Sequence, residues 1–461
     1  MNRCILLLYL FIAVSLPAFA SEPFTLSKAI EKGLMNNLSL DFATQENRIG
    51  VKNMRMKYRK YFPTLSLGYS STDTVTYFAD DSHTKQLSAT FTQLIYDRGV
   101  LHSSIHLEKE RLALEAHQND LNQTAFIFSV IDSYKNVLEL EKELEISRQA
   151  RSAVSQQVEI GHLEHNLGEI TQFDFLELEL ALADMDIQIT QISQKLDEAR
   201  SAFASVMNMK ACDIPVLMGE LNYLYDGFVN ESSDYYVSQA MSNSLVLKEI
   251  EYAEHKAQAD YSLLKKKYVP DISLSCSAAV SGEAYPLTDK SFSIFLNLDF
   301  DTPALPTALS AGIGKNSNEQ RYRKISADAD VMGNSESLYS SQSGKVSMER
   351  TQWNLEKYRR ECQEEIAEQH KAILVLKENL VLARRRIELE QKKVEIEELK
   401  VQLGEEKRID YVESQIALAQ NRIKVFQTIS ELYSMETAFM NLCGIGSAAS
   451  SGRNLIEGSG L

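Results

Sequence analysis

His162 and His165, with Leu163 and Glu164 between them, are spaced to share one face of a helix and hold a metal ion. A zinc site needs at least three protein ligands, and no third ligand stands at metal spacing, so the pair reads as solvated helix surface. Gly312-Ile313-Gly314-Lys315 carries the glycine and lysine of a phosphate-binding loop without its frame. The position five before Gly314 is Leu309, and Asn316 stands where Ser or Thr is required. Cys212, Cys276, Cys362 and Cys443 show no CxxC or other metal spacing. A Cys212–Cys443 disulfide stays open, because each residue lies just past the end of a repeat described below. No nucleophile–base signature and no catalytic carboxylate pair is present. The chain therefore does not read as an enzyme, and no catalytic residue, metal or cofactor is assigned.

Two acidic pairs are more informative. Asp174 and Glu177 stand at i,i+3, and so do Asp410 and Glu413. That spacing puts both carboxylates on one helix face, one turn apart. Alone, such a pair is a solvated face. What sets these apart is that they are one pair written twice, 236 positions apart, each behind the same turn: Leu167-Gly168-Glu169 returns as Leu403-Gly404-Glu405.

The whole chain carries that duplication. Asn36-x-Leu38-x-Leu40 returns as Asn243-x-Leu245-x-Leu247, and Lys60-Tyr61-Phe62-Pro63-Thr64-Leu65-Ser66-Leu67 as Lys267-Tyr268-Val269-Pro270-Asp271-Ile272-Ser273-Leu274, both at an offset of 207. A solenoid repeats every 20–50 residues, roughly, so this is a duplicated half-molecule. The offset grows by 29 between Pro270 and Gly404, which places extra residues in the second half.

The start reads as a secretory signal, 1–20, with Arg3 in its basic region, Ile5 to Val14 as apolar core and Ala18-Phe19-Ala20 as cleavage site. That core is too short to span a bilayer, which takes about 20 residues. An exported chain without a spanning helix enters a membrane only as a β-barrel. The formal charge of −16, or −17 without Arg3, argues against nucleic acid as partner.

Each half begins with an amphipathic helix that should stop at a proline, Pro63 in the first, because the residue before proline disfavours helix. The period then changes to two. Leu65, Leu67 and Tyr69 alternate with polar residues, as do Leu87, Ala89 and Phe91. In the second half Ile272, Leu274, Cys276 and Ala278 alternate, then Phe292 to Phe300. The stretches Ala79–Thr84 and Ser281–Lys290 read as the connecting loops. A long helix follows each strand pair; one from about Val100 to Asn166 would rise roughly 100 Å. Phe173, Leu176, Leu180, Ala183 and Ile187 step as a heptad seam, and Ile409, Val412, Ile416, Ala419 and Ile423 repeat it. Gly168 and Gly404 mark hairpin turns between helices.

The expected organisation is a first repeat over 21–211, a linker over 212–234 and a second repeat over 235–443. An irregular insertion falls at about 304–346, rich in Gly, Ser and Asn, and a disordered tail at 444–461. Four strands cannot close a membrane barrel, whose smallest form has eight, so copies must join, and three give twelve.

This ordered set resembles the TolC-type outer-membrane efflux protein family. Leu26-Ser27-Lys28-Ala29-Ile30, the Tyr61-Phe62-Pro63-Thr64-Leu65-Ser66-Leu67 junction and the Gln93-Leu94-Ile95-Tyr96-Asp97-Arg98-Gly99 junction carry it, over about Phe24 to Cys443. The resemblance implies a mainly α chain with membrane β. Its fold would be a duplicated helix–strand–strand–long helix–helix unit, forming a trimeric twelve-stranded barrel continuous with a periplasmic coiled-coil tunnel. It implies an exit duct in the cell outer membrane, serving a tripartite efflux or type I secretion system. The partners would be outer-membrane lipid, a periplasmic adaptor and an inner-membrane pump of RND, ABC or MFS type. By the same resemblance Leu167, Gly168, Leu403 and Gly404 become adaptor-docking tips, and Asp410, Glu413, Asp174 and Glu177 the periplasmic aperture. The family usually has Asp at the position of Glu413. It often has Arg two residues after the second tip glycine, where this chain has Glu406 followed by Lys407 and Arg408. The junction Asp301-Thr302-Pro303-Ala304-Leu305-Pro306 also lacks the usual Gly-Arg-type turn. The competing reading is an exported coiled-coil envelope spacer or periplasmic adaptor without a pore, which would not need alternating strands at matching places in both halves.

Overall fold

The computed structural model describes residues 24–75, 77, 82–210, 216–316, 320–445 and 455–457. The signal segment 1–20, residues 78–81 of the first strand connection and Cys212 lie outside them. The chain divides into two compact units, one from Met1–Asp41, Asp120–Ser242 and Gln363–Leu461, the other from Phe42–Asn119 and Asn243–Cys362.

The first half runs α1 (Leu26–Asn36), α2 (Leu38–Lys57), β1 (Thr64–Thr74), β2 (Ser82–Tyr96), α3 (Val100–Leu167) and α4 (Gln172–Val206). A short strand β3 (Glu220–Leu221) follows. The second half repeats the plan as α5 (Ser233–Asn243), α6 (Leu245–Lys265), β4 (Asp271–Gly282), β5 (Asp289–Phe300), β6 (Thr307–Lys315), β7 (Arg321–Ala329), α7 (Ser340–Gln402) and α8 (Arg408–Leu442), before β8 (Ile456–Glu457). α1 starts behind Thr25, whose hydroxyl accepts from Lys28 N. Before Pro63, Phe62 is extended, with φ −99° and ψ 153°, and the helix is over. The chain is thus mainly helical with one large antiparallel sheet, as the sequence implies.

That sheet differs from expectation in one respect. Its order is β1-β2-β4-β5-β6-β7, six strands rather than four. The stretch 304–346, expected to be irregular, holds the hairpin β6–β7, and its base is closed by Asp330 N donating to Pro306 O and Met332 N to Ala304 O. Small residues hide the pattern: Leu309, Ala311 and Ile313 alternate with Ser310, Gly312 and Gly314. Most of the tail 444–461 lies outside the described residues; within it, Ile456–Glu457 pairs with Glu220–Leu221, and Ile456 is buried.

In the sheet unit, Arg98 joins the strand–helix junctions of both halves. Its guanidinium donates to both oxygens of Asp271, at 2.9 and 2.7 Å, and stands 3.8 Å from Asp301. Among the described residues no helix is long and apolar enough to cross a membrane.

The helical unit is packed around Tyr134, Phe203, Tyr225, Tyr433 and Phe439, all fully buried. α3, α4 and α8 share the clusters Val154–Leu178–Val412 and Ile146–Ala150–Met185–Ala419–Ile423. On α7, Ile373, Leu380, Ile387 and Val394 are buried at seven-residue spacing. Leu382, Leu389, Ile396 and Leu403, at the same spacing, are exposed. The seam Phe173, Leu180, Ile187 on α4 is likewise exposed, although its second-half equivalent is in the core. Two helices therefore carry heptad stripes that nothing among the described residues covers.

Candidate functional site

The candidate site is the pair of helical hairpin tips in the helical unit. α3 ends at Gly168 and α7 at Gly404, with φ of 81° and 75°, a left-handed conformation that glycine adopts without steric cost. Both ends close in one way. Gly168 N donates to His165 O and Glu169 N to Glu164 O; Gly404 N donates to Val401 O and Glu405 N to Lys400 O. These are two Schellman caps, which consume carbonyls that the helix end would otherwise leave unpaired. A Cβ built on either glycine meets nothing within 4 Å. Leu167 and Leu403 beside them are 74% and 73% exposed. Each tip is therefore a small, open turn flanked by one solvent-facing leucine.

The next helices start differently. Thr171 caps α4 in a capping box: its hydroxyl accepts from Asp174 N at 3.1 Å, and Asp174 Oδ2 accepts from Thr171 N at 3.3 Å. Lys407 caps α8 with no side-chain bond. Its ammonium instead crosses to Asp174 Oδ1 at 3.0 Å. The Thr171 hydroxyl and then Lys407 hold the Asp174 carboxyl below its usual range, and Asp174 raises Lys407 in turn. Next to it Arg408 forks onto Glu164, through Nε to Oε2 at 3.0 Å and NH2 to Oε1, and also reaches Gln157. The second hairpin is thus clamped to the first by two adjacent cations. Glu406 turns back to Lys400 at 3.3 Å. A cleft of about 430 Å³ separates the tips, lined by Glu164, Asp174, Glu405, Glu406, Lys407 and Arg408 among others.

The four acidic positions divide by environment. Asp410 and Glu413 are exposed on the first turns of α8, while Tyr411 and Val412 between them are buried. Neither carboxylate is ion-paired within the chain among the described residues. Glu177 is half-buried, and Asp174 belongs to the cap and clamp. The structure brings Asp174 to the second-half tip through Lys407. It leaves Asp410 and Glu413 free to face whatever lies beyond the chain. Glu164 and Arg408 were not candidates in the sequence: 244 residues separate them. The run Glu405-Glu406-Lys407-Arg408 was the only hint.

The other motifs dissolve into the fold. His162 and His165 pack against Phe175 as tilted ring pairs, ring centres 5.6 and 5.5 Å away. Gly312 to Lys315 lies within β6, not in a loop. Cys443 is buried at the end of α8.

Toward the other end of α8, a buried carboxylate secures the linker in the helical core. Glu436, fully buried, accepts from Phe228 N, Val229 N and the Tyr225 hydroxyl, and pairs with Lys377 at 3.2 Å. Burial, and then Glu436, push the Tyr225 phenol far up.

Residues 29–208 match the model of a family described as outer membrane efflux protein. No curated protein matches the chain by sequence. Solved structures match over nearly its full length. The CusC transmembrane channel is 12% identical, with 92% of each chain covered and a TM-score of 0.72. The outer membrane protein VceC of Vibrio cholerae is 14% identical, covering 91% of this chain and 96% of that one, with a TM-score of 0.70. The open-state MtrE outer membrane channel of Neisseria gonorrhoeae is 14% identical, covering 93% and 89%, with a TM-score of 0.68. At such identities the likeness is one of fold.

Proposed function

We propose that this chain belongs to the outer membrane efflux protein family and is the outer-membrane exit duct of a tripartite efflux or type I secretion machine, assembled from three copies. The family consists of channels and not enzymes. The observation that carries the reading is the sheet: one face is apolar and solvent-exposed, and both edges are open. Leu65, Leu67, Tyr69, Leu87, Phe91, Phe292 and Leu296 all lie exposed on that face. Opposite them stand Thr64, Ser66, Thr90, Ser275, Ser277 and Asn297. Apolar-out and polar-in is the pattern of a barrel with lipid outside and water within. Six strands are too few to close, and open edges are not tolerated in hydrocarbon, so the edges must meet other copies.

The two uncovered heptad stripes, on α4 and α7, give the helical unit the same need for copies. They supply the helix-to-helix contacts of a tunnel wall. The tips then form the periplasmic mouth, with Leu167, Gly168, Leu403 and Gly404 as the surface for an adaptor's helical hairpin, and an inner-membrane pump behind it. Asp410 and Glu413, three times each, ring the aperture with Asp174 and Glu177 behind them.

The spacer reading predicts a protein that leaves membranes with a salt wash. The channel reading predicts release only by detergent, as a trimer, with an epitope inserted at Glu283–Leu287 reachable by antibody on intact cells. Salt extraction, or an epitope that stays hidden, would overturn the proposal.

A further inference from the structure

We infer that the barrel wall has eighteen strands, with β7 of each copy hydrogen-bonded to β1 of the next. This rests on the channel reading above and adds to it the seam between copies. The hairpin β6–β7 follows β5 in the sheet with no break in register. Residues Phe292 to Phe300 pair with Lys315 to Thr307, and these pair with Arg321 to Ala329. The free edges are therefore β1 and β7, and β5 is internal on both sides. The insertion is a complete hairpin, so the strand number stays even. β7 of one copy then runs antiparallel to β1 of the next, the geometry a closed antiparallel barrel needs.

The face pattern says which medium the hairpin meets. Directly opposed residues of an antiparallel pair share a face, so the register carries the apolar face across all six strands. The row through Leu65 runs Leu65, Phe91, Cys276, Ile294, Ile313, Arg323. On this face the hairpin presents Leu309, Ala311, Ile313, Ile325, Ala327 and Ala329. Ile313 and Ile325 are 57% and 84% exposed. Its charges on the same face, Lys315, Arg321 and Arg323, gather at the turn end. A lipid-facing strand tolerates charge there, near the interface, and not at the bilayer centre. The other face carries Ser310, Lys324, Ser326 and Asp328, as a water-filled lumen requires. A flap lying outside the wall would have no use for this division.

The hairpin is also locked to β5 on the lumen side, where Phe295 lies over its cross-strand partner Gly312; within the hairpin Tyr322 lies over Gly314 in the same way, and a Cβ on either glycine would run into the ring. Aromatic cover over a strand glycine is a device that fixes strand pairing.

Strand stagger gives a numerical check. The row that starts one residue inside the helix-side end of β1, at Leu65, reaches β7 at Arg323, six residues from its helix-side end at Ala329. With those ends at one level, the row climbs about one residue per strand. A rise of about 3.3 Å against a spacing of about 4.8 Å is a tilt of roughly 35°. Membrane barrels tilt by about 35–45°. β1 and β7, at 11 and 9 residues, also match the roughly 9–11 residues a spanning strand needs. At this tilt eighteen strands close at about 34 Å backbone diameter, and twelve at about 22 Å.

Disulfide trapping tests the seam. In a Cys276→Ser background, Ser66→Cys on β1 is combined singly with Tyr322→Cys, Lys324→Cys, Ser326→Cys or Asp328→Cys on β7, or with Ser291→Cys, Ser293→Cys or Asn297→Cys on β5. All these positions share the lumen face. After oxidation in the native outer membrane, denaturing gels should show covalent trimers for at least one β7 partner and none for β5. Trimers through β5 would overturn the eighteen-stranded wall and leave the channel reading standing. Detergent-stable trimers with no link through either strand would overturn it too. Monomers alone, both by gel and by native mass, would defeat the channel reading itself. Electron microscopy of the trimer in lipid gives an independent count: eighteen strands with the wider bore, against twelve with the hairpin outside the wall.

Discussion

If the paired tips form the aperture, Arg408 is the residue whose loss opens it. Its fork on Glu164 is bidentate and largely shielded, with the two side chains 14% and 23% exposed. A hydrogen bond to a charged group contributes about 1.5–3 kcal/mol net, and parallel pairs add geometric precision. Some screening at this depth brings the fork to about 2 kcal/mol. Lys407–Asp174 is also a cross-hairpin pair, but the lysine is 67% exposed and the bond contributes little. Arg408→Met keeps the aliphatic stem and removes the fork. At about 1.36 kcal/mol per tenfold, the ratio of parted to clamped tips should rise roughly 30-fold in each copy. Single-channel recording in planar bilayers reads this as time spent in a high-conductance state. Glu164→Gln should act in the same direction and less strongly, since an amide still accepts one bond. Lys407→Met should change the recording little. Wild-type conductance from Arg408→Met, or a larger effect from Lys407→Met, refutes the assignment of the clamp.

Asp410→Asn with Glu413→Gln should lower cation selectivity and weaken block by trivalent cations, and the difference should shrink at 1 M salt, where the screening length is about 3 Å; unchanged selectivity and block would remove these residues from the aperture. Gly404→Trp should abolish export while trimers still assemble, because an indole fills the open surface that a partner's backbone must approach; export at the normal rate would reduce the tip to a turn. Glu436→Ala should lower stability in detergent by about 3–5 kcal/mol, since it leaves three donors in the core without an acceptor and removes the counter-charge of Lys377, which keeps its bonds to Val229 O and Asn230; circular dichroism melts that match wild type would contradict this. The Asp174 carboxyl lies below its ordinary 3.8, so its contribution to the capped, clamped tip is fully present above that pH and is lost only as pH falls through the lowered value. Conductance should therefore not change through this group between neutral and mildly acid pH, and a transition near pH 6 that Asp174→Asn removes would be inconsistent with it.

The tips were legible in sequence because their signal is local: a glycine after a heptad run is what a Schellman cap demands. The first four strands were legible because Leu, Phe and Tyr alternate against Ser and Thr. β6 and β7 were not, because their alternation is written in Ala, Gly and Ser, and Gly312 and Gly314 are small for the sake of Phe295 and Tyr322 on neighbouring strands. That reason lies in the partner strand and not in the segment. The Arg408–Glu164 fork was hidden for the same cause. Either residue alone is an ordinary helix-face charge.

The duplicated seam carries the argument one step further. Phe173, Leu176, Leu180, Ala183 and Ile187 have the same spacing as Ile409, Val412, Ile416, Ala419 and Ile423, so periodicity predicts the same burial for both. The chain buries the second set against α3 and α4, and leaves most of the first outside. A duplicated fold with one seam satisfied internally and its twin unsatisfied has a face left over. The exposed stripe Leu382, Leu389 and Ile396 on α7 is its natural counterpart. In a three-membered ring the seam of one copy closes on the other stripe of its neighbour, since each copy offers one of each. Such a head-to-tail contact makes a ring when its rotation closes. The sheet repeats this logic, with a β1 edge and a β7 edge per copy. A charge placed in either stripe, such as Leu180→Glu or Leu389→Glu, should therefore break the trimer from the helical side while leaving the chain folded. Intact trimers from both variants would mean that the stripes face something other than a second copy.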